Sequence, residues 1–164
     1  MHSMIVGMTE SGKTTLAKKI VQKLKNQGIK SIVLDRMRDN FNADYSTTDK
    51  QKFLDTVFKS YNCAVFVDES GQEFDKRNSA MNKLATMSRH WGHSAFFLGQ
   101  RYTDIPKTVR DQCGRIFIFC ISFDDSKILA NEFNSEELRN AYKLQQGEYY
   151  HKTRFGKLNK NKVF

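Results

Sequence analysis

Gly7-Met8-Thr9-Glu10-Ser11-Gly12-Lys13-Thr14 fits the pattern G-x-x-x-x-G-K-[ST] at every fixed position. The pattern has a mechanism. Its glycines let the backbone curl so that successive N–H groups point inward at an anion. The Lys13 ammonium can reach the β- and γ-phosphates of a nucleoside triphosphate, and the Thr14 hydroxyl can ligate Mg²⁺. The positive end of a following helix faces the same anion. Gly7 to Thr14, with Thr15 next in line, are therefore the candidate phosphate cradle. The flanks agree. Met4-Ile5-Val6 is a short apolar run suited to a buried strand. Leu16, Ile20 and Leu24 recur every fourth residue with Ala17 and Val21 beside them, the stripe of a helix. Lys18, Lys19, Lys23 and Lys25 fall mostly outside that stripe, and Gly28 is a stop signal. Strand, glycine loop and helix together predict nucleotide binding; an accidental glycine-rich turn is the bland alternative.

Composition sets outer bounds. A chain of 164 residues is expected to be one domain with a real core. A hydrophobic fraction of 39% with 12% aromatics points to a folded protein. The longest apolar stretch, Ile116 to Phe123, falls well short of the ~20 residues a membrane span requires. No secretory signal is expected, because the N-terminus runs straight into the first strand. Cys63, Cys113 and Cys120 form no CxxC pair, and an odd number cannot all be bridged, so a reducing compartment is expected.

Charge is the second global signal. Twenty-seven Lys and Arg against eighteen Asp and Glu leave +9, a balance that favours a polyanionic partner over a small neutral substrate. A merely soluble basic surface would give the same number. His151 to Lys162 holds five Lys or Arg and no acid. Residues 152–164 therefore read as a basic C-terminal tail following a folded domain over 1–151, suited to phosphate backbones, although a frayed, solvated end looks similar.

Strand-like and helix-like segments alternate, which predicts an α/β domain with a mainly parallel sheet. Strands are expected at Ser31–Asp35, Ala64–Asp68, Ala95–Gln100, Ile116–Ile121 and Glu148–His151. Helices are expected at about Asp49–Tyr61, Asn78–His90, Asp125–Phe133 and Ser135–Leu144, with a short one after Pro106. Arg36 to Thr48 reads as polar loop. The third strand ends Phe66-Val67-Asp68-Glu69-Ser70, an apolar run closing on an acidic pair. Asp68 can hold the shell of a Mg²⁺ ion, partly through water, because this hard cation keeps several waters. Glu69, one residue further on, can act as general base on an attacking water. A solvated strand end is the alternative; the preceding phosphate loop makes the catalytic reading the stronger one. Gln100, at the tip of the next strand, can sense a γ-phosphate or orient water. His90 and His93 are spaced like a metal pair, but no further ligand completes a zinc site. Phe117, Phe119, Cys63 and Cys120 read as core.

The stretch Ser88-Arg89-His90-Trp91-Gly92-His93-Ser94-Ala95-Phe96-Phe97-Leu98-Gly99-Gln100-Arg101 resembles the region of FtsK–HerA superfamily DNA translocases in which an arginine and a glycine precede a strand ending in Gln-Arg. Leu144-Gln145-Gln146-Gly147-Glu148 is similar to that family's closing strand. The resemblance implies a P-loop NTPase with an extra strand between the phosphate-loop strand and the Asp68–Glu69 strand, the catalytic-glutamate type. It implies ATP and Mg²⁺ as ligands, DNA as partner with duplex favoured, and a homo-oligomeric ring of five or six subunits. Arg89 matches the arginine that reaches a neighbour's ATP in trans; Arg101, Arg110 and Arg115 are alternatives. Stripped to the motor, the chain is most similar to genome-packaging ATPases of tailless icosahedral, membrane-containing viruses. That implies work in the host cytoplasm or at a packaging vertex, with capsid or portal-vertex proteins as partners. Glu10 departs from the glycine many relatives carry: either it points to solvent, or nucleotide affinity is compromised. A small nucleotide kinase, and a phage assembly or secretion ATPase of the same superfamily, are the competing functions. The Asp68–Glu69 pair and the lack of an arginine-rich lid speak against the kinase.

Overall fold

The computed structural model describes residues 1–73 and 79–164. Eight strands form one sheet: β1 (His2–Val6), β2 (Ser31–Leu34), β3 (Tyr45–Thr47), β4 (Ala64–Val67), β5 (Ser94–Gly99), β6 (Cys113–Ile118), β7 (Glu148–Thr153) and β8 (Asn159–Lys162). Their spatial order is β3-β2-β4-β5-β1-β6-β7-β8. From β3 to β6 every pairing is parallel, while β7 and β8 run antiparallel. Helices α1 (Lys13–Asn26), α2 (Lys50–Phe58), α3 (Ser70–Glu73), α4 (Ser79–Met87), α5 (Lys107–Gln112) and α6 (Phe123–Glu132) connect the strands. Two 3-10 segments, Ser88–Trp91 and Glu136–Lys143, complete the set among the described residues.

The inner strands are apolar on both faces because both faces are covered. On one face α1 lays Leu16, Ala17 and Val21 against Ile5, Val33, Phe66, Phe96 and Leu98, and Phe41 from the β2–β3 loop extends that cover. Phe66 and Phe96 stack there with ring centroids 4.5 Å apart. On the other face α2, α4, α5 and α6 bury Phe53, Val57, Leu84, Val109 and Leu129 against Met4, Val6, Leu34, Val65, Val67 and Phe97. Local signals support the helix starts. The Asp49 carboxylate accepts from Lys52 N–H at 3.0 Å to cap α2, and the Ser122 hydroxyl accepts from Asp125 N–H to cap α6.

The extra strand is present: β5 separates the phosphate-loop strand β1 from β4. Three local readings change. The polar stretch 36–48 contains β3, a three-residue edge strand whose side chains are too polar to announce it. Residues 135–144 wind as a 3-10 segment rather than a regular helix. Nearly half of the expected tail is sheet, since 152–164 supplies the end of β7 and all of β8. The β8 side chains Asn159 to Lys162 are all exposed, as suits an edge strand guarded by lysine. Residue 78, the expected start of the fourth helix, lies outside the described residues.

Phe66→Ala removes a fully buried ring in the shared centre of the α1-side core. It is expected to cost about 3–5 kcal/mol, read as a lower urea midpoint with an unchanged slope.

Candidate nucleotide site

Register decides which side chains meet. Leu34 pairs with Val67 and Val67 with Phe97, while Val6 pairs with Gly99. Thus β1, β2, β4 and β5 finish at one edge, and Gly7, Asp35, Asp68 and Gln100 are the first residues beyond it. The phosphate loop is pinned there by Gly7 N–H donating to the Gly99 carbonyl at 3.2 Å and Met8 N–H donating to the Cys120 carbonyl at 2.9 Å. A Cβ on Gly7 would lie 2.5 Å from Phe119 Cβ and 2.7 Å from Ser11 Oγ. Gly12 adopts φ +113°, and a Cβ there would meet Val163 Cγ1 at 2.9 Å and Phe119 Cε1 at 3.0 Å. No other residue type fits either position.

The far side of the loop is strapped by the C-terminal hairpin. Gly147 N–H donates to the Ser11 carbonyl at 3.0 Å, and Gln146 Nε2 donates to the Glu10 carbonyl at 3.1 Å. Glu10 sits at φ 61°, the left-handed region glycine fills more easily, and its side chain is exposed. Of the two expectations for this residue, the one in which it points to solvent holds.

Lys13 Nζ donates to the Met8 carbonyl at 2.9 Å, inside the loop's own curl. Burial lowers its pKa, opposed by the charges of Glu69 and Asp68. Asp68 is buried, and its pKa is pushed up to about 6, first by desolvation and then by the Glu69 charge, with Asp39 and Asp35 adding to it. Its Oδ2 has no hydrogen-bond partner among the described residues. Glu69 holds φ 51°, a strained backbone for a non-glycine residue of the kind found at functional sites. Gln100 Nε2 donates to Glu69 Oε1 at 3.2 Å, and Thr9 Oγ1 lies 3.5 Å from Gln100 Oε1. Glu69, Gln100 and the loop are therefore one contiguous cluster. Cavities of about 380 Å³ and about 200 Å³ open beside it, sharing Gln100 and Arg101 in their walls.

These groups fit a nucleoside triphosphate with its Mg²⁺. The glycine cradle, the Lys13 ammonium and the first turn of α1, with Thr14 and Thr15, suit phosphates; the Thr14 hydroxyl and the unpartnered Asp68 oxygen are hard donors for the cation.

Arg89 does not join the cluster within its own subunit. It lies before β5, with Nη2 donating to Gln112 Oε1 at 2.6 Å, and its charge acts on the Met1 amino group and His2. That is the amino edge of the sheet, one strand length of ~20 Å from the phosphate loop. The alternative arginines separate clearly. Arg110 is buried against Glu132 at 3.2 Å and over the Tyr102 ring, and Arg115 is held by Ser3 Oγ at 2.9 Å. Arg101 stands at the phosphate edge, exposed, 3.5 Å from Asp125 Oδ1. His93 is a framework residue: Nδ1 accepts from Cys63 N–H at 3.1 Å and Nε2 lies 2.9 Å from the Val57 carbonyl. A larger cavity of about 490 Å³ lies between α1 and the side chains of Phe96, Arg115, Phe117, Tyr149 and His151 on β5, β6 and β7.

Two acids of this edge escaped the reading of the sequence as site residues: Asp35 and Asp39. Their carboxylate oxygens and that of Asp68 all lie within 4.8 Å of one another. The signal was available in part, since Ile32-Val33-Leu34-Asp35 and Val65-Phe66-Val67-Asp68 have the same form.

A mainly parallel sheet with an added strand beside the phosphate-loop strand, closed at that edge by this cluster, is a P-loop NTPase fold of the additional-strand type. Comparison with solved structures agrees. The chain is similar to the genome-packaging NTPase B204 of Sulfolobus turreted icosahedral virus 2 in complex with AMPPCP, with a TM-score of 0.82 at 18% identity, covering 98% of this chain and 96% of that one. It is similar to the cytoplasmic domain of the type VII secretion ATPase EccC of Thermomonospora curvata, with a TM-score of 0.73 at 14% identity, covering 99% of this chain and 24% of that one. VirB4 of Thermoanaerobacter pseudethanolicus gives a TM-score of 0.72 at 9% identity, covering 99% of this chain and 89% of that one. The family model described as molybdopterin guanine dinucleotide synthesis protein B matches residues 3–81, just under half of the chain. No curated protein sequence matches significantly.

Gly12→Ala is expected to abolish nucleotide binding in a fluorescence titration while the fold persists by circular dichroism. The raised Asp68 pKa fixes a sign in pH. Between the ordinary value of 3.8 and about 6 the folded chain retains a proton that the unfolded chain has lost. Stability from this group therefore falls as pH rises through that window, by at most about 1.4 kcal/mol per pH unit. Asp68→Asn should flatten that slope in urea titrations run from pH 4 to 7.

Proposed function

We propose that this chain hydrolyses ATP to ADP and phosphate and uses the energy to move DNA, as the motor that packages a viral genome into a preformed capsid. The observation that carries the reading is the Glu69–Gln100 pair, held at 3.2 Å beside the phosphate loop. A carboxylate at the end of β4, oriented by an amide at the end of β5, suits activation of water better than transfer to a second nucleotide. Lys13 and the loop N–H groups hold the β- and γ-phosphates. Glu69 takes a proton from water as its oxygen attacks the γ-phosphorus, and the bond from that phosphorus to the β–γ bridging oxygen breaks. Thr14 and Asp68 would hold a Mg²⁺ ion, which would supply Lewis-acid charge stabilisation to the phosphates. Gln100, touching both Glu69 and Thr9, is placed to report the γ-phosphate to the rest of β5.

Support for DNA as the track comes from the +9 balance and from the similarity to B204 over nearly both whole chains. Arg89, on the edge opposite its own phosphate loop, would act across a head-to-tail interface, the geometry that closes homo-oligomeric rings of five or six. A packaging motor of this kind works in the host cytoplasm at a capsid vertex, docking on capsid or portal proteins. The likeness to EccC and VirB4 favours one second reading, a secretion ATPase that acts on protein.

Steady-state ATPase assays with duplex DNA, single strands, and no nucleic acid decide between them. Duplex DNA should stimulate turnover, with the stimulation falling steeply as salt rises; an unresponsive rate overturns the DNA reading. Lys13→Ala should lose ATP binding, whereas Glu69→Gln should bind ATP and fail to hydrolyse it. Replacing Arg89 by Ala should cut turnover of the assembled protein by ~10³–10⁵-fold, and doping wild-type rings with that variant should depress the mixture more than in proportion. Normal hydrolysis by the pure Arg89→Ala protein removes the trans role.

A further inference from the structure

The β2 and β4 strands end side by side with Leu34 opposite Val67, so Asp35 and Asp68 leave the sheet level with each other. Strand alternation turns both toward the α1 face, as it does Val33 and Phe66 two residues earlier. The chain after Asp35 then folds back over them. Asp39 N–H donates to Asp35 Oδ1 at 2.8 Å and Asn40 N–H donates to Asp35 Oδ2 at 3.0 Å, a turn that delivers the Asp39 carboxylate to the same spot. One oxygen from each of the three acids lies within 4.8 Å of the other two.

Lys13 acts on Asp68 through its charge, but no salt bridge among the described residues balances the trio. Among the described residues none of the three acids takes part in an ion pair, and the nearby cations Arg36 and Lys50 are both engaged by Glu73, at 2.5 and 3.2 Å. Asp68 is 5% exposed and its Oδ2 is without a hydrogen-bond partner among the described residues. Asp35 also lines a solvent-open cavity of about 400 Å³ with Arg38, Asn40, Ser46, Thr47 and Thr48.

We propose that Asp35, Asp39 and Asp68 together hold a hard divalent cation, Mg²⁺ or Mn²⁺, in the absence of nucleotide. Oxygens around Mg²⁺ sit about 2.9 Å apart when adjacent and about 4.2 Å apart when opposite, from metal–oxygen distances of 2.0–2.1 Å. At most one of the three separations can be of the opposite kind, so at least two must close from no more than 4.8 Å to about 2.9 Å, a movement of up to about 2 Å taken up by the loop that carries Asp39. Of the residues that fit the nucleotide's own Mg²⁺, only Asp68 is shared. The trio therefore offsets the negative charge of this edge before ATP arrives.

The test is Mn²⁺ alone, titrated into nucleotide-free protein and followed by the electron paramagnetic resonance signal of the free ion. Wild type should take up one ion per chain. Asp39→Asn should weaken uptake by about tenfold or more, and the turn should survive because the Asp39 backbone N–H, not its carboxylate, holds it. Asp35→Asn should do the same, with a thermal melt confirming its fold. Absence of uptake by wild type overturns the site. So does uptake left unchanged by both variants and lost only in Asp68→Asn. Binding of a fluorescent adenine nucleotide in excess chelator is measured on the same wild-type protein. A wild type that takes up Mn²⁺ but no nucleotide would overturn the ATPase reading and leave the cation site standing.

Discussion

Parallel strand pairing fixes where each strand stops relative to its neighbours, and in this protein β2 stops level with β4, and β1 level with β5, at one edge of the sheet. Once β2, β4, β5 and β1 are bonded in register, the next residue of each has no choice about where it goes. Two acids leave the sheet level with each other, a glycine and an amide leave it two residues further along, and the phosphate loop and its acids are gathered at that edge. The pairing holds because both faces of these strands are buried, by α1 and the Phe41 loop on one side and by α2, α4, α5 and α6 on the other. A one-residue slip of β4 would turn Asp68 into the opposite core and leave a hydrophobic side chain at the phosphate edge.

That edge is costly to build. Asp68 is buried without a partner for one oxygen, and Glu69 and Glu10 hold left-handed backbone that favours glycine. Two further acids crowd Asp68, and Lys13 is the cation whose charge most directly opposes it and Glu69. Each of these is unfavourable in the resting chain. A bound divalent cation would satisfy the acids, and the phosphates of a triphosphate would satisfy the loop N–H groups and Lys13. The aromatic core around Phe66 and Phe96 supplies stability that a site of this kind draws down.

The C-terminal hairpin links the phosphate loop to the far side of the sheet. Val163 is buried against Gly12, its N–H donates to the Gly147 carbonyl at 2.8 Å, and its carbonyl accepts from Lys19 on α1. Gly147 in turn donates to Ser11. The loop is thus clamped between β5 and β6 beneath it and the β7–β8 hairpin beside it. A stretch whose charge suggested a loose arm is part of the frame around the nucleotide site.

The sequence by itself determined the phosphate loop, the strand–helix alternation, the acidic close of β4 and the position of Gln100. Each is a local pattern: the glycine spacing is imposed by what a curled backbone tolerates, and the apolar periods by how strands and helices bury one face. It missed β3 and β8, because edge strands need little apolar surface and their polar residues look like loop. It could not show that Asp35 and Asp39 meet Asp68, nor that Arg89 stands on the edge away from its own phosphate loop. Those facts depend on strand order and register, which arise from packing between segments far apart in the chain. Residue types and spacing announced the chemistry; only the assembled sheet decided which of those residues face one another.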